Sequence, residues 1–125
     1  VHPPFFDKDE LTDKPERFFA SEIIREKIFL NYKKEIPYSC EVVVTSFKEE
    51  ETIIRIASEI YVERVSQRAI LIGHKGESIK KVGIQARAEL EKFFGKHVFL
   101  EQFVKVEPDW RGKADKLRSF GYALD

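Results

Sequence analysis

A single cysteine, Cys40, stands among the 125 residues, so no internal disulfide can form, a usage that fits a reducing cytosol. Long apolar runs are also missing. None approaches the ~20 residues that a membrane-spanning helix needs. The opening Val1-His2-Pro3-Pro4 has neither the basic start nor the apolar centre of a secretory signal, and a cytoplasmic location is expected. His2, His74 and His97 are far apart, and together with Cys40 they offer no two metal ligands at usable spacing. No metal site is therefore expected. Net charge is absent too, with 22 Lys+Arg balancing 22 Asp+Glu. At 42% hydrophobic and 35% charged, the chain reads as a soluble globular domain. Its length suits one domain with a real core and is too short for two ordinary ones.

The zero balance hides an asymmetry. Residues 1–67 hold 10 Lys+Arg against 14 Asp+Glu, whereas residues 68–118 hold 12 against 7. A neutral domain can still bind a polyanion through one basic face.

Hydrophobic period then divides the chain. Residues 1–14, with Pro3, Pro4 and several acids, read as a linker. From Pro15 a helix is expected, with Asp13 as N-cap and Glu16 at the positive end of the dipole. Ala20, Ile23, Ile24 and Ile28, flanked by Phe19 and Leu30, form its buried face. Two β-branched segments follow, around Val42 to Val44 and Ile54 to Val62, joined across an acidic turn at residues 48–51. They predict an antiparallel pair, with Cys40 in the first strand. Residues 66–72 are ambiguous between strand and short helix. Ile79, Val82, Ala86, Leu90 and Phe93 repeat at three and four and predict a helix ending at Gly95. Gly83 inside it costs ~1 kcal/mol relative to alanine, tolerable where a neighbour packs closely. His97 to Val106 alternates as a strand. Pro108-Asp109 opens a last helix that stops at Gly121. The phenylalanine pairs 18–19 and 93–94 are expected in the core. Trp110 either anchors the last helix or, beside Arg111 and Lys113, lies on a nucleic-acid path.

Between the ambiguous segment and the long helix lies Gly73-His74-Lys75-Gly76. Two glycines bring bare backbone to the surface and permit positive φ. The unpaired N–H groups opening the next helix favour an anion such as phosphate. Around them, residues 68–87 hold five basic side chains, Arg68, Lys75, Lys80, Lys81 and Arg87, against one acid, Glu77. Apolar Ile72 and Ile79 sit beside them. No nucleophile–base or carboxylate pair is evident. Glu89 and Glu91, two apart on a helix, do not face one another.

The run Ile72-Gly73-His74-Lys75-Gly76-Glu77-Ser78-Ile79-Lys80, after a strand pair and before an amphipathic helix, resembles the loop of the KH module. That loop clamps the backbone of a single strand of about four nucleotides. The helix-strand-strand element preceding it gives the type II order. Further blocks, "DKPERFFASEIIREKI", "EIPYSCEVVV", "VFLEQFVKVEPDWR" and "LRSFGY", make the chain similar, from about Thr12 to Tyr122, to the C-terminal portion of the Era-type ribosome-assembly GTPases, a bacterial family.

The resemblance implies an α+β fold of order αββααβ plus a C-terminal helix, a three-stranded sheet with helices on one face. It implies residues 15–125 as an RNA-binding domain and residues 1–14 as the remnant of a linker to an upstream GTPase domain. It further implies binding to the single-stranded 3′ end of small-subunit ribosomal RNA during assembly of the small ribosomal subunit, by a monomer. Implied contacts are Arg68, Ile72, Gly73, His74, Lys75, Gly76, Ile79, Lys80, Lys81 and Arg87. Phe99 and Leu100 come from the strand bordering the groove. Peripheral membrane association is also within the family's range, with no amphipathic anchor visible in this sequence. One departure stands out: no G-x-x-x-x-G-K-[S/T] phosphate loop is present. GTP and magnesium are thus expected only in the missing domain, with no catalytic residue and no cofactor in this chain. The alternative is a protein-interaction domain whose groove takes a peptide or partner domain, because fold alone does not fix function.

Overall fold

A computed structural model describes residues 14–33 and 36–113. Residues 1–13 of the expected linker, and the expected last helix from residue 114 on, lie outside the described residues; Lys14, read as linker, already opens the first helix. The order is α1 (Lys14–Asn31), β1 (Glu41–Glu49), β2 (Ile53–Val62), α2 (Val65–Ile72), a 3-10 turn (His74–Gly76), α3 (Glu77–Phe94), β3 (His97–Val106) and a second 3-10 turn (Trp110–Lys113). The strands form one sheet in the order β1-β2-β3. β1 and β2 are antiparallel; β2 and β3 run parallel, from Ile53 opposite His97 to Val62 opposite Val106.

Side-chain alternation puts one face of this sheet against the helices. Ile54, Ile56, Ile60 and Val62 of β2 point inward and are buried with Val98 of β3. Ala20, Ile24 and Ile28 of α1, Leu71 of α2, and Val82, Ala86, Leu90 and Phe94 of α3 cover them. In β1 the inward set is Val42, Val44 and Phe47, which breaks the period of two. A bulge between Val44 and Ser46 absorbs the extra residue, so the phase is reset and Phe47 joins the core instead of Ser46. The acidic turn is held by its neighbour: Lys96 Nζ donates to Glu49 Oε2 at 2.6 Å and to the Glu50 carbonyl at 2.9 Å.

The segment whose period is ambiguous in the sequence is helical. Its start is fixed by Gln67, whose amide oxygen accepts the N–H groups of Glu63 and Arg64 at 3.0 and 2.9 Å. Its end is tied to α1, since the Tyr32 hydroxyl donates to the Leu71 carbonyl at 2.5 Å. Burial pushes the Tyr32 hydroxyl up to about 12. Phe18 and Leu30 depart from the buried positions expected of them, Cys40 is in the core but outside the strand, and of the two readings of Trp110 one is favoured. Phe18 is 55% and Leu30 71% exposed, because the α1 face that meets the sheet centres on Ala20, Ile24 and Ile28. Cys40 precedes β1 instead of lying within it. Trp110 serves as an anchor: it is buried and its Nε1 donates to the Ser39 carbonyl at 3.2 Å.

Cys40 is buried with its Sγ 3.8 Å from the Pro37 carbonyl, and burial pushes its thiol up to about 11. At pH 8 we expect the folded chain to react with an aromatic disulfide reagent on the order of 100-fold more slowly than the denatured chain. Similar rates with and without denaturant would place the thiol at the surface.

Candidate nucleic-acid interface

The loop between α2 and α3 depends on left-handed backbone. Gly73 has φ 77° and ψ −178°, a combination open to glycine. A Cβ there would lie 2.2 Å from Ser78 Oγ and 3.1 Å from the Ser78 backbone nitrogen. Gly73 therefore closes the loop tightly onto the first turn of α3, and its N–H caps α2 by donating to the Ala69 carbonyl at 2.9 Å. Gly76 differs. Its φ is 76°, but a Cβ would meet nothing within 4 Å. The space above it is open. Lys75, between them, is the one non-glycine among the described residues with positive φ, at 54°, a sparsely populated state for a long side chain.

His74 and Lys75 are exposed at the tip, and Lys80, Lys81 and Arg87 are exposed along α3. Their electrostatic setting separates them from cations that are paired in place. Lys27 pairs with Glu89 at 2.5 Å, Lys96 with Glu49 at 2.6 Å, Lys105 with Glu59 at 2.7 Å and Lys113 with Glu107 at 2.7 Å. Among the described residues, Lys75, Lys80, Lys81 and Arg87 meet no carboxylate. Their charge is left for something outside. Glu89 and Glu91 have structural work: Glu89 takes Lys27, and Glu91 Oε2 accepts the Val98 N–H at 2.9 Å.

β3 forms the facing wall. Arg68 Nε, on α2, donates to the Val104 carbonyl at 3.3 Å, and Gln102 Nε2 donates to the Ile79 carbonyl of α3 at 3.2 Å. The partners of Val98 and Val104 show that even-numbered residues of β3 direct their backbone groups away from β2. The bond from Ser58 Oγ to the Glu101 carbonyl at 2.9 Å shows that odd-numbered ones face β2. In a parallel ladder this alternation holds along the strand, so the backbone edges of Leu100 and Gln102 face the seam. Ile79, Leu100 and Val104 are partly buried there against the core, and Ile72 is half-buried at the entry to the loop.

The loop, Ile72, Ile79 and Leu100 thus lie along one seam, and the exposed cations are carried by the loop and by the outer side of α3. Phe99 does not lie there. It is 47% exposed on the helix-free face of the sheet, with the Arg55 guanidinium 5.8 Å from its ring centroid. Sequence reasoning passed over Gln102 and Ile84. Ile84 is 50% exposed between Lys80 and Arg87 on α3. An isoleucine off the buried repeat of that helix was the available signal. For Gln102 the signal was Gly83, whose missing side chain marks where β3 comes close.

Comparison with known proteins agrees with this geometry. A family model described as KH domain matches residues 35–111. The chain is 52% identical over 122 residues to GTPase Era of Syntrophus aciditrophicus and 47% identical over 120 residues to GTPase Era of Coxiella burnetii. Each match covers 96% of this chain and 40% and 41% of the relative, so the chain spans about two fifths of their length. Among solved structures, a point variant of Aquifex aeolicus Era bound to GDP.AlF4- superposes with a TM-score of 0.78 at 41% identity, covering 99% of this chain and 42% of that one. Era in complex with MgGDPNP and nucleotides 1506-1542 of 16S ribosomal RNA superposes with a TM-score of 0.79, also at 41% identity and with the same coverage. With the helix-strand-strand-helix-loop-helix-strand order and the glycine loop in place, this chain belongs to the KH domain family.

Proposed function

We propose that this chain is an RNA-binding module that takes a single strand of ribosomal RNA along the seam between the 73–76 loop, α3 and β3. The observation that carries this reading is the set of four cations, Lys75, Lys80, Lys81 and Arg87, that meet no carboxylate among the described residues, on the loop and helix that border the edge of β3. Lys75, Lys80 and Lys81 neutralise phosphates. Gly76 lets the strand approach the backbone, and Gly73 holds the loop closed on α3 so that it can. Ile72 and Ile79 supply apolar surface to bases, and the edge of β3 at Leu100 meets them from the other side. His74 stands at the tip, and Arg68 and Arg87 extend the track at either end. The similarity to the Era that is solved with nucleotides 1506-1542 of 16S ribosomal RNA supports the 3′ end of small-subunit RNA as the target; to this the proposal adds a role on the small ribosomal subunit, in the cytoplasm. Residues 1–14 would join the module to an upstream GTPase domain. A peptide groove has no need for an uncompensated cationic rim, which weighs against a protein-interaction role.

Three outcomes test this. Gly76→Asp should fold, since nothing lies near its Cβ, at a cost of about 1–3 kcal/mol for the positive φ. It should lose at least about tenfold in affinity for single-stranded RNA, roughly 1.4 kcal/mol. Undiminished binding in a fluorescence titration would end the clamp role. Lys80→Ala and Lys81→Ala should each weaken binding to all sequences alike and flatten the plot of log affinity against log salt by ~0.7. A changed sequence preference would reassign that lysine to base reading. The isolated chain should bind neither GTP nor GDP by calorimetry; micromolar affinity would show a nucleotide site within it.

A further inference from the structure

α3 carries a glycine, Gly83, in its middle, where helix propensity argues for alanine. The reason lies across the seam. A Cβ at position 83 would stand 2.7 Å from Gln102 Nε2 and 3.7 Å from its Cδ. The same Nε2 donates at 3.2 Å to the carbonyl of Ile79, one turn earlier on α3 and the acceptor that the helical ladder assigns to the Gly83 N–H. The bare turn at Gly83 thus admits the Gln102 amide onto the helix backbone.

That amide is only half satisfied. Gln102 Oε1 is buried and meets no donor among the described residues. Turning the amide over would set Oε1 against the Ile79 carbonyl, acceptor against acceptor, so the observed orientation is the better of the two. A buried unpaired acceptor is costly, and an apolar side chain of the same length would remove the cost. Stability therefore does not explain a glutamine at this place. Its position does: β3 is tied to the helices by Glu91 at Val98, by Gln102 at Ile79 and by Arg68 at Val104. The outer backbone edges of Leu100 and Gln102, with no backbone partner among the described residues, lie between the outer two ties.

We infer that Gln102 is a positioning residue of the RNA seam. Its amide, seated on the bare turn at Gly83, fixes the gap between α3 and β3 and so the size and register of the base that the β3 edge can read. This rests on the RNA-binding reading above. It names Gln102 as a determinant of base discrimination, distinct from the lysines that hold phosphate.

The test uses the chain with a set of single-stranded RNAs about ten nucleotides long, one position varied through the four bases. The parent should show a spread of at least about tenfold across the set. Gln102→Met, an apolar residue of similar length, should melt at the same temperature or higher, yet shrink the spread to within about threefold with the salt slope unchanged. Gly83→Ala should also narrow the spread, and adding Gln102→Ala, which clears the space, should relieve the stability cost of the clash without restoring the spread. An undiminished spread in Gln102→Met overturns the proposal while leaving RNA binding intact. Additive effects of Gly83→Ala and Gln102→Ala on stability overturn the contact itself. A parent that binds none of the RNAs removes the functional reading, and this proposal with it.

Discussion

β2 and β3 lie side by side and point the same way, and the placement of the rest follows from that pairing. A hairpin cannot join parallel neighbours; the chain must travel back along the sheet before the second strand begins. Here the return is made by α2, the loop and α3. The crossover covers the apolar face of the sheet, so one stretch of chain completes the core and displays the loop. Leu71, Val82, Ala86 and Leu90 are fully buried, while His74 and Lys75, between them in sequence, stand in solvent. Tyr32 reaches from the end of α1 to the Leu71 carbonyl, fixing the point from which the loop departs. The functional surface is therefore held by the same contacts that hold the fold.

Much of this was legible in the sequence because each element announces its period. The three-and-four repeat of α3, the alternation of β2 and β3, and the two loop glycines all stand where the pattern puts them. What failed has a common physical origin. Phe18 and Leu30 are apolar, but exposure depends on which neighbours a helix meets, and α1 meets the core along Phe19, Ala20, Ile23, Ile24 and Ile28. α2, at eight residues, is too short for period alone to distinguish helix from strand; the Gln67 cap decides. The bulge after Val44 depends on register with β2, which one strand cannot reveal. Phe99 faces away from the seam because β3 offers its backbone edge there and its side chains to the two faces of the sheet. The Gly83–Gln102 contact joins residues from separate elements, and only the glycine marks it in the sequence.

The distribution of ion pairs has a kinetic meaning. With many cations neutralised locally and those at the loop and along α3 left free, an overall neutral chain carries a local positive potential. An approaching anionic strand is drawn toward that side from a distance comparable to the Debye length, about 8 Å at physiological ionic strength. Encounter is thus biased in orientation before any contact forms, and rises as salt is lowered. On the proposed reading departure follows other rules, since a bound strand would leave only when its bases quit the seam. Arrival and residence are set by different residues, so evolution could tune how fast such a module finds its strand without altering how long it keeps it.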